Sequence, residues 1–305
     1  MIDKKQISIW FKELQLRICT SLESLDQGSH FQKDQWTRPE GGGGLTMVME
    51  NGHIIEKGGV NFSAVSGPTP EKILKALQLP ALDFFATGIS IVLHPKNPWM
   101  PIIHMNVRFF EMSNQTYWFG GGIDLTPHYI SPEDGGFIHH QLKNICDQTD
   151  PTYYPRFKKW ADDYFFIKHR NETRGVGGIF FDRINEQSEQ KSKEELWQFI
   201  QNVGNSFVSI YSHYISKYGN KPYNEAHTDW QKLRRGRYVE FNLVWDKGTQ
   251  FGLDTNGRTE SILMSLPPDT SWKYNHQPDV GSMEEETMQW LKKDIDWLKY
   301  SIKPD

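Results

Sequence analysis

I-I-H-M-N-V-R-F-F-E, residues Ile102 to Glu111, alternates apolar and polar side chains with a period of two. A β-strand sends successive side chains to opposite faces. His104, Asn106 and Arg108 therefore stand in a row on one face, and Ile103, Met105, Val107 and Phe109 on the other. An acid–base group, an amide and a fixed cation in one row suit holding an anion and moving a proton. A strand face that only meets water more often carries Thr, Lys, Glu or Ser.

The neighbouring segments extend this strand into a sheet. Ala86 to His94 alternates in the same way, and Pro95 to Pro101 holds three prolines, which predicts a turn. An antiparallel pair would place Ser90 and His94 on the side of His104, Asn106 and Arg108. Gln115 to Phe119 predicts a third strand, running into Gly120-Gly121-Gly122 and Asp124. Upstream, Gly41 to Gly44 opens a strand over Leu45 to Glu50, Asn51-Gly52 is a hairpin signal, and His53 to Lys57 returns. Gly58-Gly59 predicts a bend before Val60 to Val65.

Helical spacing marks Lys4 to Leu25, with a stripe of Ile7, Trp10, Phe11, Leu14 and Ile18. Ser131, Pro132 and Asp134 read as a capped helix start, with the helix reaching about Cys146. Further helices are expected over Tyr154 to Arg170, Glu194 to Tyr218 and Glu284 to Tyr300, with a short one after Pro68. Ile179 to Asp182, Arg237 to Trp245 and Thr259 to Leu266 are expected as strands. With strands early and late and helices between, the expectation is one α+β domain over residues 1–305. Its large antiparallel sheet would be flanked by helices on both faces.

Composition narrows the function. The chain has 305 residues, long enough for a substantial core, and a net charge of −4. With no basic tail, zinc spacing or RNA-binding motif, no nucleic-acid partner is expected, and an anionic ligand would need a local Arg cluster. Aromatics make up 13% of residues, enough to line a flat cavity or to fill the core. Cys19 and Cys146 lack metal spacing and suit buried positions in a reduced, cytoplasmic protein. No apolar run approaches the ~20 residues that span a bilayer, and no signal peptide is read.

Three other stretches carry chemistry. Asp124, just past the glycines, can offset a cationic intermediate or bind ring N–H groups, or it can simply cap its own turn. Lys168 to Gly178 is K-H-R-N-E-T-R-G-V-G-G. Lys168 and Arg170 there can serve a helix C-terminus or a ligand, and Arg174 is a candidate for a carboxylate. Asn256-Gly257-Arg258 is a turn with an Arg fork beside it. The histidines show no metal-type spacing. No dinucleotide, Walker or nucleophile-elbow motif is present, so no organic cofactor is expected.

These stretches together resemble the oxygen-dependent coproporphyrinogen III oxidases. The matching strings are G-G-V-N-F-S from Gly58, H-M-N-V-R-F-F-E from His104, W-F-G-G-G-I-D-L-T-P from Trp118 and K-H-R-N-E-T-R-G from Lys168. R-R-G-R-Y-V-E-F-N-L-V-W-D from Arg234 and F-G-L-D-T-N-G-R-T-E-S-I-L-M-S-L-P-P from Phe251 match as well. They run in the family's order over nearly the whole chain.

The resemblance implies an enzyme that converts the ring A and B propionates of coproporphyrinogen III to vinyl groups, giving protoporphyrinogen IX for haem. O2 is the acceptor and no organic cofactor is used. It implies a large antiparallel sheet and a homodimer, with residues 238–273 as the dimer-forming region. His104 is implied as proton donor, Asp124 as the acid that holds the pyrrole N–H groups, and Arg108 as the group on the reacting propionate. Ser90, Asn106, Val107, Arg108, Asn256, Gly257 and Arg258 are implied as substrate contacts. His94, His104, His139 and His169 are implied as ligands of a divalent metal. A tetrapyrrole carrier of the same fold without turnover is the competing reading, against which His104, Arg108 and Asp124 speak. The chain departs from the family at Tyr117, where many members have Trp, which would give one cavity aromatic a hydroxyl. A short turn before Trp118 and a looser C-terminal D-I-D-W are further departures.

Overall fold

A computed structural model describes residues 2–69, 74, 82–254 and 257–300. The expected short helix after Pro68 lies largely outside these residues, as does Asn256. Helix α1 (Lys4–Asp26) opens on a capping box between Asp3 and Gln6 and buries Ile7, Phe11, Leu14, Ile18 and Leu22. Seven antiparallel strands follow in one sheet, ordered β1-β2-β3-β4-β5-β6-β9. They are β1 (Gln32–Thr37), β2 (Gly42–Glu50), β3 (Ile55–Pro68), β4 (Asp83–Pro95), β5 (Ile102–Met112), β6 (Tyr117–Thr126) and β9 (Gly177–Ile184).

Between β6 and β9 lie helices α2 (Pro132–Asp147) and α3 (Tyr153–Tyr164) and a two-stranded ribbon, β7 (Phe166–Ile167) with β8 (Glu172–Thr173). Helix α4 (Lys193–Tyr218) starts on a second capping box, Ser192 with Glu195. Helices α5 (Glu225–Val244), α6 (Lys247–Asp254), α7 (Thr259–Leu263) and α8 (Met283–Trp290) complete the chain.

The strand expectations hold at the centre of the sheet. Ser90 pairs with Asn106, Val92 with His104, and His104 in turn with Asp124. Ile103, Met105, Val107 and Phe109 are fully buried in the main core, where α1 and α4 cover that face. The α+β class with an antiparallel sheet and helices on both faces is what the structure has.

Several boundaries differ from expectation, each for a physical reason. Gly58-Gly59 does not break β3, and the register shifts earlier, between Ile55 and Lys57. Gly120 to Gly122 do not follow a strand but sit inside β6. Ser131 makes no side-chain cap, and Asp134 takes Lys217 and the Tyr218 hydroxyl instead. Helix α3 stops at Tyr164, and the chain then turns into the β7–β8 ribbon, so Lys168 and Arg170 end no helix. Of the expected strands Arg237–Trp245 and Thr259–Leu266, the first is helical to Val244 and the second to Leu263. The first belongs to α5, which starts on the Asn224–His227 capping box and buries Arg234, Arg235, Tyr238, Val239, Phe241 and Asn242. The C-terminal helix ends at Trp290, and a single 3-10 turn at Trp297–Lys299 follows.

Asp26, fully buried, accepts the backbone N–H groups of His53, Ile54 and Ile55 at 2.7–2.9 Å and so anchors the hairpin end of β3 to α1. Asp26→Ala strands these donors. It is expected to lower unfolding free energy by about 3 kcal/mol, read by urea denaturation. A loss under about 0.5 kcal/mol would show that the hairpin needs no such anchor.

Candidate active site

Among the described residues, the face of the sheet opposite the main core is bare near its middle and covered by α5 to α7 at one side. Strand register lines up one row of residues across it: Trp36, Gly44, Ser63, Gly88, Arg108 and Gly120. The next row is Thr46, Asn61, Ser90, Asn106, Gly122 and Phe180. Small side chains and glycines thus make a flat floor with aromatics at its edges. Phe84, Phe110 and Trp118 stack beside it, with centroids 5.5 and 4.3 Å apart. Two adjoining cavities of about 230 and 200 Å³ share Ser90, Asn106 and Arg108. Each alone is smaller than the ~300–1,000 Å³ usual for a small-molecule pocket, and the two adjoin at these three residues.

At the covered end, His104 lines the cavity, and its Nδ1 lies 2.8 Å from Asp124 Oδ1. Asp124 is almost wholly buried. Both its oxygens accept from Arg174 Nη2 at 2.7 Å. Arg174 Nη1 donates to Asn242 Oδ1 at 2.9 Å, which ties the pair to α5. The guanidinium lies 4.4, 4.7 and 4.8 Å from the ring centroids of Phe165, Tyr238 and Phe241. Burial pushes the Asp124 carboxyl up, but Arg174 and His104 outweigh it, so the group sits below the usual carboxylate range. Asp124 therefore stays anionic, and His104 donates through Nδ1, which leaves Nε2 for the cavity.

Arg108 stands on the open floor, and its Nη1 donates to Asn106 Oδ1 at 2.9 Å. Its Nη2 donates to Asp182 Oδ1, also at 2.9 Å. A Cβ at Gly120 would meet Asp182 Oδ1 at 2.5 Å and Arg108 Nε at 2.9 Å, so a side chain there would push this pair aside.

The structure brings Ser90, His104, Asn106 and Arg108 together as expected from the alternation. Other expected residues fall elsewhere. Asp124 lines neither cavity; it stands behind His104 and Arg174, which both line the larger one. Arg174 does line the larger cavity, but the carboxylate it binds is that of Asp124. Val107 points into the core on the other face, because its parity in β5 is odd. Arg258 is bound to Asp34 on β1 and to Ser261, outside both cavities, while Gly257 closes a turn on Gly252. Tyr117 likewise faces the helices beside Phe109 and Phe119, so its hydroxyl does not enter the cavity; Trp118 does line it.

The four histidines do not converge on one point. His94 is buried against Tyr238, with Nε2 on the Ser265 carbonyl at 2.8 Å. His139 lies among the helices between Tyr154 and the Val176 carbonyl, and burial pushes its ring down to about 3. His169 bonds to Glu240 and receives the Trp245 indole N–H. Among the described residues no group of three or more His, Cys, Asp or Glu is disposed to hold a metal. The set does not fit a metal within one chain.

Sequence reasoning missed Asp182, Asn242, Tyr164 and Asp246, of which the last three line the cavity. One signal for this edge was available. Gly178 pairs with Asp124, so the glycine-rich exit after Arg174 seats that segment flat against β6.

The chain matches the family model described as coproporphyrinogen III oxidase over residues 6–297. It is 45% identical over 309 residues to the oxygen-dependent coproporphyrinogen-III oxidase of Drosophila melanogaster, covering 97% of this chain and 78% of that one. It is 47% identical over 300 residues to the enzyme of that name from Francisella tularensis subsp. holarctica (strain OSU18), covering 94% and 96%. The chloroplastic counterpart of Glycine max is 46% identical over 302 residues, covering 94% and 77%.

The Asp124–Arg174 pair makes a pH prediction. A carboxyl held below its ordinary value stabilises the fold above that ordinary value, and the contribution is lost as pH falls through the lower folded value. Asp124→Asn leaves Arg174 buried and unpaired, a loss of about 3–5 kcal/mol near neutral pH. In urea titrations the gap between wild type and variant should hold down to about pH 5 and narrow below it. A gap unchanged to about pH 3 would contradict the pairing.

Proposed function

The chain belongs to the coproporphyrinogen III oxidase family, and from that premise we propose how its cavity residues divide the work. The enzyme carries out the oxygen-dependent oxidative decarboxylation of the ring A and B propionates of coproporphyrinogen III, giving protoporphyrinogen IX. Each propionate loses one hydrogen from the carbon next to the ring and its carboxylate as CO2. That leaves a vinyl group, one proton and two electrons, and O2 takes the electrons.

The substrate is a broad macrocycle edged by carboxylates. The flat floor around Gly88 and Gly120 fits the macrocycle, and Arg108 is the cation on that floor for the reacting propionate. His104 is the proton-transfer group at Nε2. Asp124 and Arg174 fix its tautomer and ring plane from behind, and so act as positioning residues. One observation carries this reading: among the described residues the His104 ring bonds to an anionic, buried Asp124, while the same ring lines the cavity beside Arg108. No step is assigned to a metal.

We also read the protein as a cytoplasmic homodimer. Leu243, Val244, Phe251, Leu253 and Trp272, all within residues 238–273, are exposed apolar side chains that a second copy would cover. Both cysteines are free and buried, as a reduced compartment allows. Among the described residues no helix is long and apolar enough to cross a membrane.

Purified protein given coproporphyrinogen III in air should yield vinyl porphyrins, resolved by chromatography after oxidation. His104→Gln should bind substrate but turn over about 10²–10⁴-fold more slowly. Tight binding with no vinyl product in air would favour the carrier reading. Equal rates with and without oxygen would contradict the oxygen-dependent assignment, and an unchanged His104→Gln rate would remove that ring from proton transfer.

A further inference from the structure

Asp182 has no part in the chemistry derived above, yet it faces the same floor. It comes from β9, the edge strand, and meets Arg108 across the bare Gly120, where the β6–β9 register shifts. The two charged side chains are only partly buried, 41% exposed for Arg108 and 29% for Asp182. They lie at the groove, not in the core. Neither Asp124 nor Asp246 can serve Arg108 instead. Asp124 is held by Arg174 and His104, and Asp246 takes the Tyr164 hydroxyl and the Thr249 N–H and hydroxyl.

The reaction gives this geometry a consequence. A propionate arrives as an anion and leaves as CO2, so the site must hold a cation that is matched before and after the step. A guanidinium has five N–H donors, and one oxygen each from Asn106 and Asp182 leaves donors for an incoming carboxylate. We propose that Asp182 is the standing counter-ion of Arg108. It holds the guanidinium flat over Gly120 when no substrate carboxylate is present, and it sets how strongly the groove prefers a propionate over a vinyl group at that position.

This rests on Arg108 as the propionate-binding group. Its negative charge beside Arg108 weakens the pull on a second carboxylate, so the resting pair trades affinity for release. A vinyl group carries no charge and is indifferent to Asp182.

The test compares two unreactive porphyrins at fixed ionic strength. Coproporphyrin III keeps the ring A and B propionates, and protoporphyrin IX has vinyl groups in their place. Asp182→Asn keeps an oxygen acceptor for Arg108 and removes the charge. It should tighten coproporphyrin III inhibition by about 3–10-fold and leave protoporphyrin IX inhibition within about twofold. Asp182→Glu, which restores the charge, should return the ratio toward wild type. Arg108→Gln is run beside them. If it fails to weaken coproporphyrin III relative to protoporphyrin IX, the role of Arg108 itself is wrong. If it does weaken it while Asp182→Asn moves both ligands together or neither, the counter-ion role alone is overturned.

Discussion

The site depends on one buried ion pair, Asp124 with Arg174. Two charges removed from water are costly unless each is fully satisfied, and here the polar partners and the aromatic rings around the guanidinium supply that. The pair joins three separately positioned parts: β6 through Asp124, the exit from the β7–β8 ribbon through Arg174, and α5 through Asn242. It also orders His104 on β5. Residues far apart in sequence thus meet in one hydrogen-bonded unit that ends at the His104 ring.

The second constraint is flatness. A sheet of seven strands offers a broad surface, but side chains usually roughen it. Here the row through Gly44, Gly88 and Gly120 removes them just where the groove lies, and bulky groups such as Trp36, Phe110, Trp118 and Phe180 stand at its margins. The same bareness lets a helical segment close in: a Cβ on Gly59 would meet the Met264 sulfur at 2.5 Å. Different glycines thus serve the two ends of this face, Gly44, Gly88 and Gly120 leaving the floor flat and Gly59 admitting the cover. One cation, Arg108, stands on the floor itself.

Period-two alternation was enough to place His104, Asn106 and Arg108 on one face, because one face of that strand is wholly buried and a one-residue slip would expose its apolar set. The same rule separates Val107 from its neighbours, and applying it strictly excludes its side chain as a contact. The family resemblance implies Asn106 to Arg108 as an unbroken run of contacts, without regard to this parity. The segment R-Y-V-E-F-N-L-V-W carries the β-branched and aromatic residues typical of a strand, yet it is helical to Val244. Asn224, some residues upstream, starts the helix, and packing on several sides buries both polar and apolar positions. The Asp124–Arg174 and Arg108–Asp182 pairs were out of reach, since partners that meet only through tertiary packing leave no spacing signal. The histidines show the converse: a shared implied role did not bring four distant residues together.

The most direct test is a crystal structure of the enzyme with coproporphyrin III, the unreactive oxidised form of the substrate. The macrocycle should lie over the Gly88–Gly120 row, with one ring A or B propionate on Arg108 and the His104 ring, still bonded to Asp124, facing that side chain. A macrocycle seated away from this floor, or a reacting propionate held by another cation, would contradict the account.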